Sequence, residues 1–167
     1  MTNIYHATPY DISATGFYFT DYDDYRAKAA SHRNAYGDPV EEYEIQFIDG
    51  DNPRLFKALG VNQASLKEWF DEFEDMDETD AIKAISLIED FGYEADTVLE
   101  HLDDLCLFEG TAVEYAEHYL EESGLLSQVP ESLRYYIDTE AMARDMVLGG
   151  DITELRHDGQ DYVAWGV

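Results

Sequence analysis

The sequence predicts an α+β protein, an elongated chain of three small domains, the first and last mixed α/β and the middle one all-helical. Three observations predict it. Two-residue apolar alternation occurs only toward the two ends, helical apolar spacing fills the middle, and charge falls into three unequal blocks. Residues 1–61 hold 10 acids against 5 Lys or Arg, net −5; residues 62–104 hold 15 against 2, net −13; residues 105–167 hold 13 against 3, net −10. The shortest block is the most acidic, which sets the boundaries at 61/62 and 104/105. A chain of 167 residues suits one ordinary domain or several very small ones.

In the first block NIYHAT (3–8) and EEYEIQFID (41–49) are predicted strands, the second alternating through Tyr43, Ile45 and Phe47. Between them DYDDYRAKAASHRNAYG predicts a helix with Asp21 at its N-cap and Gly37 at its stop. Asn52-Pro53 opens a short helix ending near Gly60, since Pro is tolerated at the first helical position.

The middle block predicts three helices. Asn62 caps the first, whose Leu66, Trp69, Phe70 and Phe73 recur at spacings of three and four and form one apolar stripe. The second carries Ile82, Ile85, Leu87 and Ile88 and stops at Gly92. The third covers Asp96 to Asp104 with Val98, Leu99 and Leu102 inward.

In the last block TAVE (111–114) has the form of a capping box, and its helix runs to Gly124. VPESLRYYID holds a short helical turn, and TEAMARDMVLGG a longer helix capped by Asp138 or Thr139. ITELRH and QDYVAW, joined by Asp158-Gly159, predict a β-hairpin with a type I′ turn.

Composition bounds the function. Hydrophobic residues make up 45% and aromatics 14%, too much for an acidic disordered segment, so the chain is expected to fold. Its net charge of −28 opposes folding by self-repulsion, and solubility needs a magnitude of only about 2–8 in a small domain. Such acidity excludes direct binding to nucleic acid or to an anionic membrane, both of which demand basic patches, and points to a basic partner. The single Cys106, the lack of a signal-like start and the absence of a long apolar run predict a cytoplasmic protein.

No catalytic constellation stands out. The loops starting at Asp49 and Asp75 break the EF-hand pattern, the five His residues are scattered, and neither HExxH, CxxC nor a P-loop occurs. Cys106 sits among acids, which suppress thiol reactivity, and is expected to be a buried structural residue. The sequence therefore predicts no enzyme, no metal and no cofactor.

The acids themselves become the candidates. In EWFDEFEDMDETD (68–80) eight of thirteen residues are acidic: Glu68, Asp71, Glu72, Glu74, Asp75, Asp77, Glu78 and Asp80. Glu89, Asp90, Glu94, Asp96, Glu100, Asp103 and Asp104 continue the series. From Thr111 onward, Ala112, Ala116, Tyr119 and Leu120 share one helical face while Glu114, Glu117 and Glu121 share another. Duplex DNA carries one charge per about 1.7 Å, so 28 charges at that density span roughly 48 Å. A compact chain of this length is about 40 Å across, so a moderately elongated one reaches a DNA-like charge per unit length. Carboxylates would then stand in for phosphates in a basic DNA-binding groove.

The helix AVEYAEHYLEESG, the stretch VPESLRYYID and the block TEAMARDMVLGGD before a closing aromatic strand resemble the C-terminal region of the ArdA antirestriction proteins. IYHATPYD, ATGFYF and EEYEIQFIDGDN resemble that family's N-terminal unit more loosely, with Tyr10-Asp11 and Gly16-Phe17-Tyr18 in place of its usual Tyr-Asn and Gly-x-Trp. The resemblance implies a protein of mobile elements, built of three small domains. It implies a homodimer joined through the C-terminal domain that inhibits type I restriction–modification enzymes by mimicking bent B-form DNA. Two protomers would offer about 95 Å of DNA-like charge. The family's antirestriction motif maps onto Glu114, Tyr115, Ala116, Glu117, Glu121 and Glu122. A different basic partner, such as a nucleoid protein, a repressor or a CRISPR effector, is the alternative that charge alone leaves open.

Overall fold

The computed structural model describes residues 1–167. It is mixed α+β, with nine α-helical segments and two three-stranded sheets, and it divides into two compact units, Met1–Leu99 and Glu100–Val167.

In the first unit β1 (Ile4–Pro9) lies between β2 (Phe17–Phe19) and β3 (Tyr43–Asp49), antiparallel to both. The register sets Tyr5 opposite Phe19 on one side and Phe47 on the other. Pro9 ends the central strand beyond the last pair with β2, where its missing N–H breaks no ladder. The two predicted strands are present. The three-residue β2 had gone unforeseen, being too short to show an alternation.

Helix α1 (Tyr22–Ser31) starts as expected, with the Asp21 carboxylate accepting from the Asp24 N–H at 2.8 Å. It stops at His32, not at Gly37, because Asn34 closes a loop instead. The Asn34 side-chain oxygen accepts from the Tyr36 and Asp38 N–H groups, and the Asp38 carbonyl accepts from the Asn34 N–H. Helix α2 (Pro53–Ala58) has Pro53 at its first position.

The chain after residue 62 packs on this sheet. Asn62 caps a turn, accepting from the Ala64 N–H, and the helix begins later as α3 (Leu66–Glu68). It widens at once into a π-helical turn, Trp69–Phe73, in which the Trp69 carbonyl accepts from the Glu74 N–H five residues on. Trp69 and Phe73 are buried while Asp71 and Glu72 face solvent. Helix α4 (Glu78–Glu89) is capped by Asp77 and buries Ala81, Ile82, Ala84, Ile85 and Leu87. The single helix expected over 96–104 is instead a 3₁₀ turn, Ala95–Thr97, and the short α5 (Val98–His101). Val98 is buried there but Leu99 is exposed, contrary to expectation.

The core of this unit is aromatic. The Tyr5 ring stacks on Phe19 at 5.4 Å and meets Phe47, Phe56, Trp69 and Phe70 edge-on or tilted within 6.4 Å. Burying one such side chain stabilises by about 1.5–3 kcal/mol. Their accumulation offsets the repulsion of the acids outside.

In the second unit β4 (Cys106–Glu109) and β5 (Thr153–His157) flank β6 (Gln160–Trp165) in an antiparallel sheet. The predicted hairpin forms between β5 and β6, with Asp158 at φ 48° and Gly159 at φ 87°, the positive pair that a type I′ turn requires. Cys106 lies on the edge strand β4 and is exposed, so the expectation of a buried thiol is corrected. Of the apolar neighbours that suggested burial, Leu105, just before the strand, is fully buried, and Leu107 and Phe108 within it are half-buried.

Helix α6 (Ala112–Glu122) and α9 (Thr139–Gly149) pack on this sheet, with the short α7 (Leu125–Gln128) and α8 (Glu131–Arg134) between them in sequence. Asp138 supplies the α9 cap, accepting from the Ala141 N–H at 2.9 Å. Ala112, Tyr115, Ala116, Ala143, Ile152 and Val163 form the core.

Candidate functional site

The acids of 62–104 sort by what holds them. Glu68, Asp71, Glu72, Asp75, Asp77, Glu78, Glu89, Asp90, Glu94 and Asp96 are exposed in the first unit, and Glu100, Asp103 and Asp104 in the second. Asp80 is half-buried at the start of α4. Over α3, the π-helical turn and the start of α4, Leu66, Trp69, Phe73 and Ile82 are buried while Glu68, Asp71, Glu72 and Glu78 are exposed, so burial of the apolar stripe is what turns these carboxylates outward.

Several of these acids also have partners. Asp71 pairs with Lys67 one helical turn before it, and Glu89 pairs with Arg54 of α2. Asp104 meets His101 Nδ1 at 3.0 Å. Asp77 accepts from the Asp80 N–H at 3.0 Å and so closes the start of α4. Burial raises the Asp90 carboxyl above its ordinary range, Glu89 adds to the rise and Arg54 opposes it.

Glu74 differs from the rest. It is half-buried, accepting at one oxygen from the Tyr5 hydroxyl at 2.8 Å and from the Asn3 amide at 3.3 Å. Burial pushes its carboxyl up, and the Tyr5 and Asn3 hydrogen bonds partly restore it. Its hydrogen bonds go to the core, so its work is internal.

The antirestriction-motif residues on α6 divide in the same way. Tyr115 and Ala116 are buried, with the Tyr115 ring 4.9 Å from that of Trp165. Glu114 completes a capping box: it accepts from the Thr111 N–H at 2.7 Å while the Thr111 hydroxyl accepts from the Glu114 N–H at 3.2 Å. The Thr111 N–H, with the Thr111 hydroxyl beside it, holds the Glu114 carboxyl below its ordinary range. Glu117, Glu121 and Glu122 are exposed, and Glu117 lies 3.5 Å from the Thr139 hydroxyl of α9. Tyr119, expected on the apolar face, is partly exposed.

Gln63 escaped the sequence reading. Its side-chain amide accepts from the Tyr43 N–H at 2.9 Å and donates to the Glu41 carbonyl at 2.7 Å, occupying the outer edge of β3. A lone amide in a loop gives no periodic signal. No group of three or more His, Cys, Asp or Glu side chains is placed to share an ion, and no helix is long and apolar enough to cross a membrane.

Fold and surface together define an acidic α+β protein whose carboxylates stand on the outside of packed helices. Residues 6–160 match the antirestriction protein (ArdA) family, and the chain belongs to that family. No protein of curated function matches the chain closely enough to count as a relative.

Proposed function

We propose that this antirestriction protein is an acidic DNA mimic. It occupies the DNA-binding groove of a type I restriction–modification enzyme and keeps DNA out without catalysing a reaction. The observation that carries the reading is the sidedness of α6 and of the Leu66–Glu89 region. There the apolar residues are buried and Glu68, Glu72, Asp75, Glu78, Glu117, Glu121 and Glu122 project into solvent.

Family membership makes the restriction system the target. The net charge of −28 supports electrostatic competition with phosphates. We assign the phosphate-like role to the exposed acids of 62–104 and to Glu117, Glu121 and Glu122. Glu74 and Glu114 are assigned to holding the fold. The three charge blocks 1–61, 62–104 and 105–167 are proposed as functional segments, the middle one contributing most. The active species in this reading is an elongated homodimer joined through the C-terminal segment, where Leu133, Tyr135, Tyr136 and Leu148 expose apolar surface for the contact. Its site of action is the cytoplasm.

Competition for a purified type I methyltransferase tests the reading. The protein and a target duplex should displace each other, with an inhibition constant that rises steeply with salt. Simultaneous binding of both, or no binding at low salt, would overturn it.

A further inference from the structure

The outer edge of β3 is set up to receive another strand. From Tyr5–Phe47 to Pro9–Tyr43 the residues facing each other across β1 and β3 keep one register, which shifts only between Ile4 and Tyr5, and the Tyr10 N–H donates to the Glu42 carbonyl in continuation of it. Hydrogen-bonded pairs therefore recur at Thr8–Glu44 and His6–Gln46. The main-chain groups of Tyr43, Ile45 and Phe47 point the other way, off the sheet. Gln63 already fills the first of these places, its side-chain amide accepting from the Tyr43 N–H and donating to the Glu41 carbonyl in place of the main-chain groups of a neighbouring strand. Further along, at Ile45 and Phe47, a groove of about 550 Å³ opens between β3 and α2. Its apolar floor includes Phe47 and Phe56, whose rings lie 5.6 Å apart, with Pro53 and Val61 beside them.

We propose that this groove binds an extended, cationic segment of a partner protein as a fourth strand of the sheet. Strand addition uses main-chain hydrogen bonds for affinity and alternate side chains for specificity. One set of partner side chains would enter the groove over Phe56 and Val61 and should be apolar. The other set would lie beside the exposed Glu44 and Gln46 on the opposite face, with Glu42 and Asp49 near the strand ends. Opposite charges facing each other across strands are favourable, so Lys or Arg belongs there. A second copy pairing along this edge would set Glu42, Glu44 and Asp49 against the same carboxylates of its own β3, which is why the occupant is a cationic partner. The lining of this groove includes none of the acids assigned to phosphate mimicry, and the proposal does not depend on the DNA-mimic reading.

The test uses the full chain and a seven-residue peptide of alternating Val and Lys, with main-chain amides followed by NMR. Binding should move the Ile45 and Phe47 amide signals and those of the groove lining. Methylating the peptide nitrogens that face β3 should weaken binding about tenfold, whereas methylating the intervening ones should change it by no more than about twofold. Glu44→Lys should weaken binding as well. Absence of binding at millimolar peptide would overturn the proposal. So would shifts spread over the acidic helices and insensitive to methylation, which would mean charge alone. Concentration-dependent protection of the Ile45 and Phe47 amides without peptide would also overturn it, because the edge would then belong to a second copy.

Discussion

The indole N–H of Trp69 donates to the hydroxyl of Tyr5 at 2.7 Å, joining residues 64 positions apart through a buried hydrogen bond. The same hydroxyl donates to Glu74, so one oxygen ties the central strand to the π-helical turn and to the acid that follows it. Tyr5→Phe keeps the ring but leaves the Trp69 N–H and a half-buried carboxylate without that partner. It should cost about 1–3 kcal/mol in urea unfolding. In a double-mutant cycle with Trp69→Phe the two losses should fall well short of additive.

Glu74 should give the protein a pH-dependent term of known sign. Burial raises its carboxyl above the ordinary value of 4.5, so the folded chain holds that proton more tightly than the unfolded chain. The stabilisation from the bound proton is complete below the unfolded value and is lost as pH rises through the raised folded value. Glu74→Gln removes this titration. Unfolding measured across that window should show the stability difference between variant and parent shifting toward the variant as pH rises. A constant difference would count against the assignment.

Acids that hold α6 and acids that face outward should separate by experiment. Thr111→Ala removes half of the capping box and should cost about 1 kcal/mol of stability, with inhibition of restriction kept wherever the protein remains folded. Glu117→Gln combined with Glu121→Gln relieves a like-charge pair one turn apart and should leave stability within a few tenths of a kcal/mol of the parent. Inhibition should nevertheless weaken. Thermal unfolding alongside a restriction assay reads both properties.

Cys106 should react in the native state. It is exposed on edge strand β4, so a thiol-specific maleimide should label the folded protein without denaturant. Mass spectrometry should find one adduct per chain.

Legibility followed periodicity. Alternation through Tyr43, Ile45 and Phe47 marked β3, the Thr111–Glu114 spacing marked the start of α6, and Asp158-Gly159 marked the hairpin turn. Each is a local signal with a local cause. The end of α1 was hidden because Asn34 builds its loop from side-chain hydrogen bonds across four residues, and Gly37 looked like the more obvious stop. Leu99 and Cys106 were misjudged because 95–106 is a run of short elements whose inward faces are set by tertiary contacts. The acidic surface was legible as composition. That Glu74 serves the fold was not, since an acid bonded to a tyrosine and an acid in water share one letter, whereas the capping role of Glu114 was readable from its spacing to Thr111.

The π-helical turn at Trp69–Phe73 carries a consequence for how such a surface can change. A five-residue hydrogen-bonded loop holds one residue more than an α-helix would need. Deleting a single residue there would let the segment relax into regular helix. The wide turn absorbs its extra residue, so the chain on either side would keep its direction when that residue is lost. Only side chains within the turn, Asp71 and Glu72 among them, would be re-aimed. A one-residue deletion here would thus redirect two carboxylates in one genetic step while the buried residues around them stay in place.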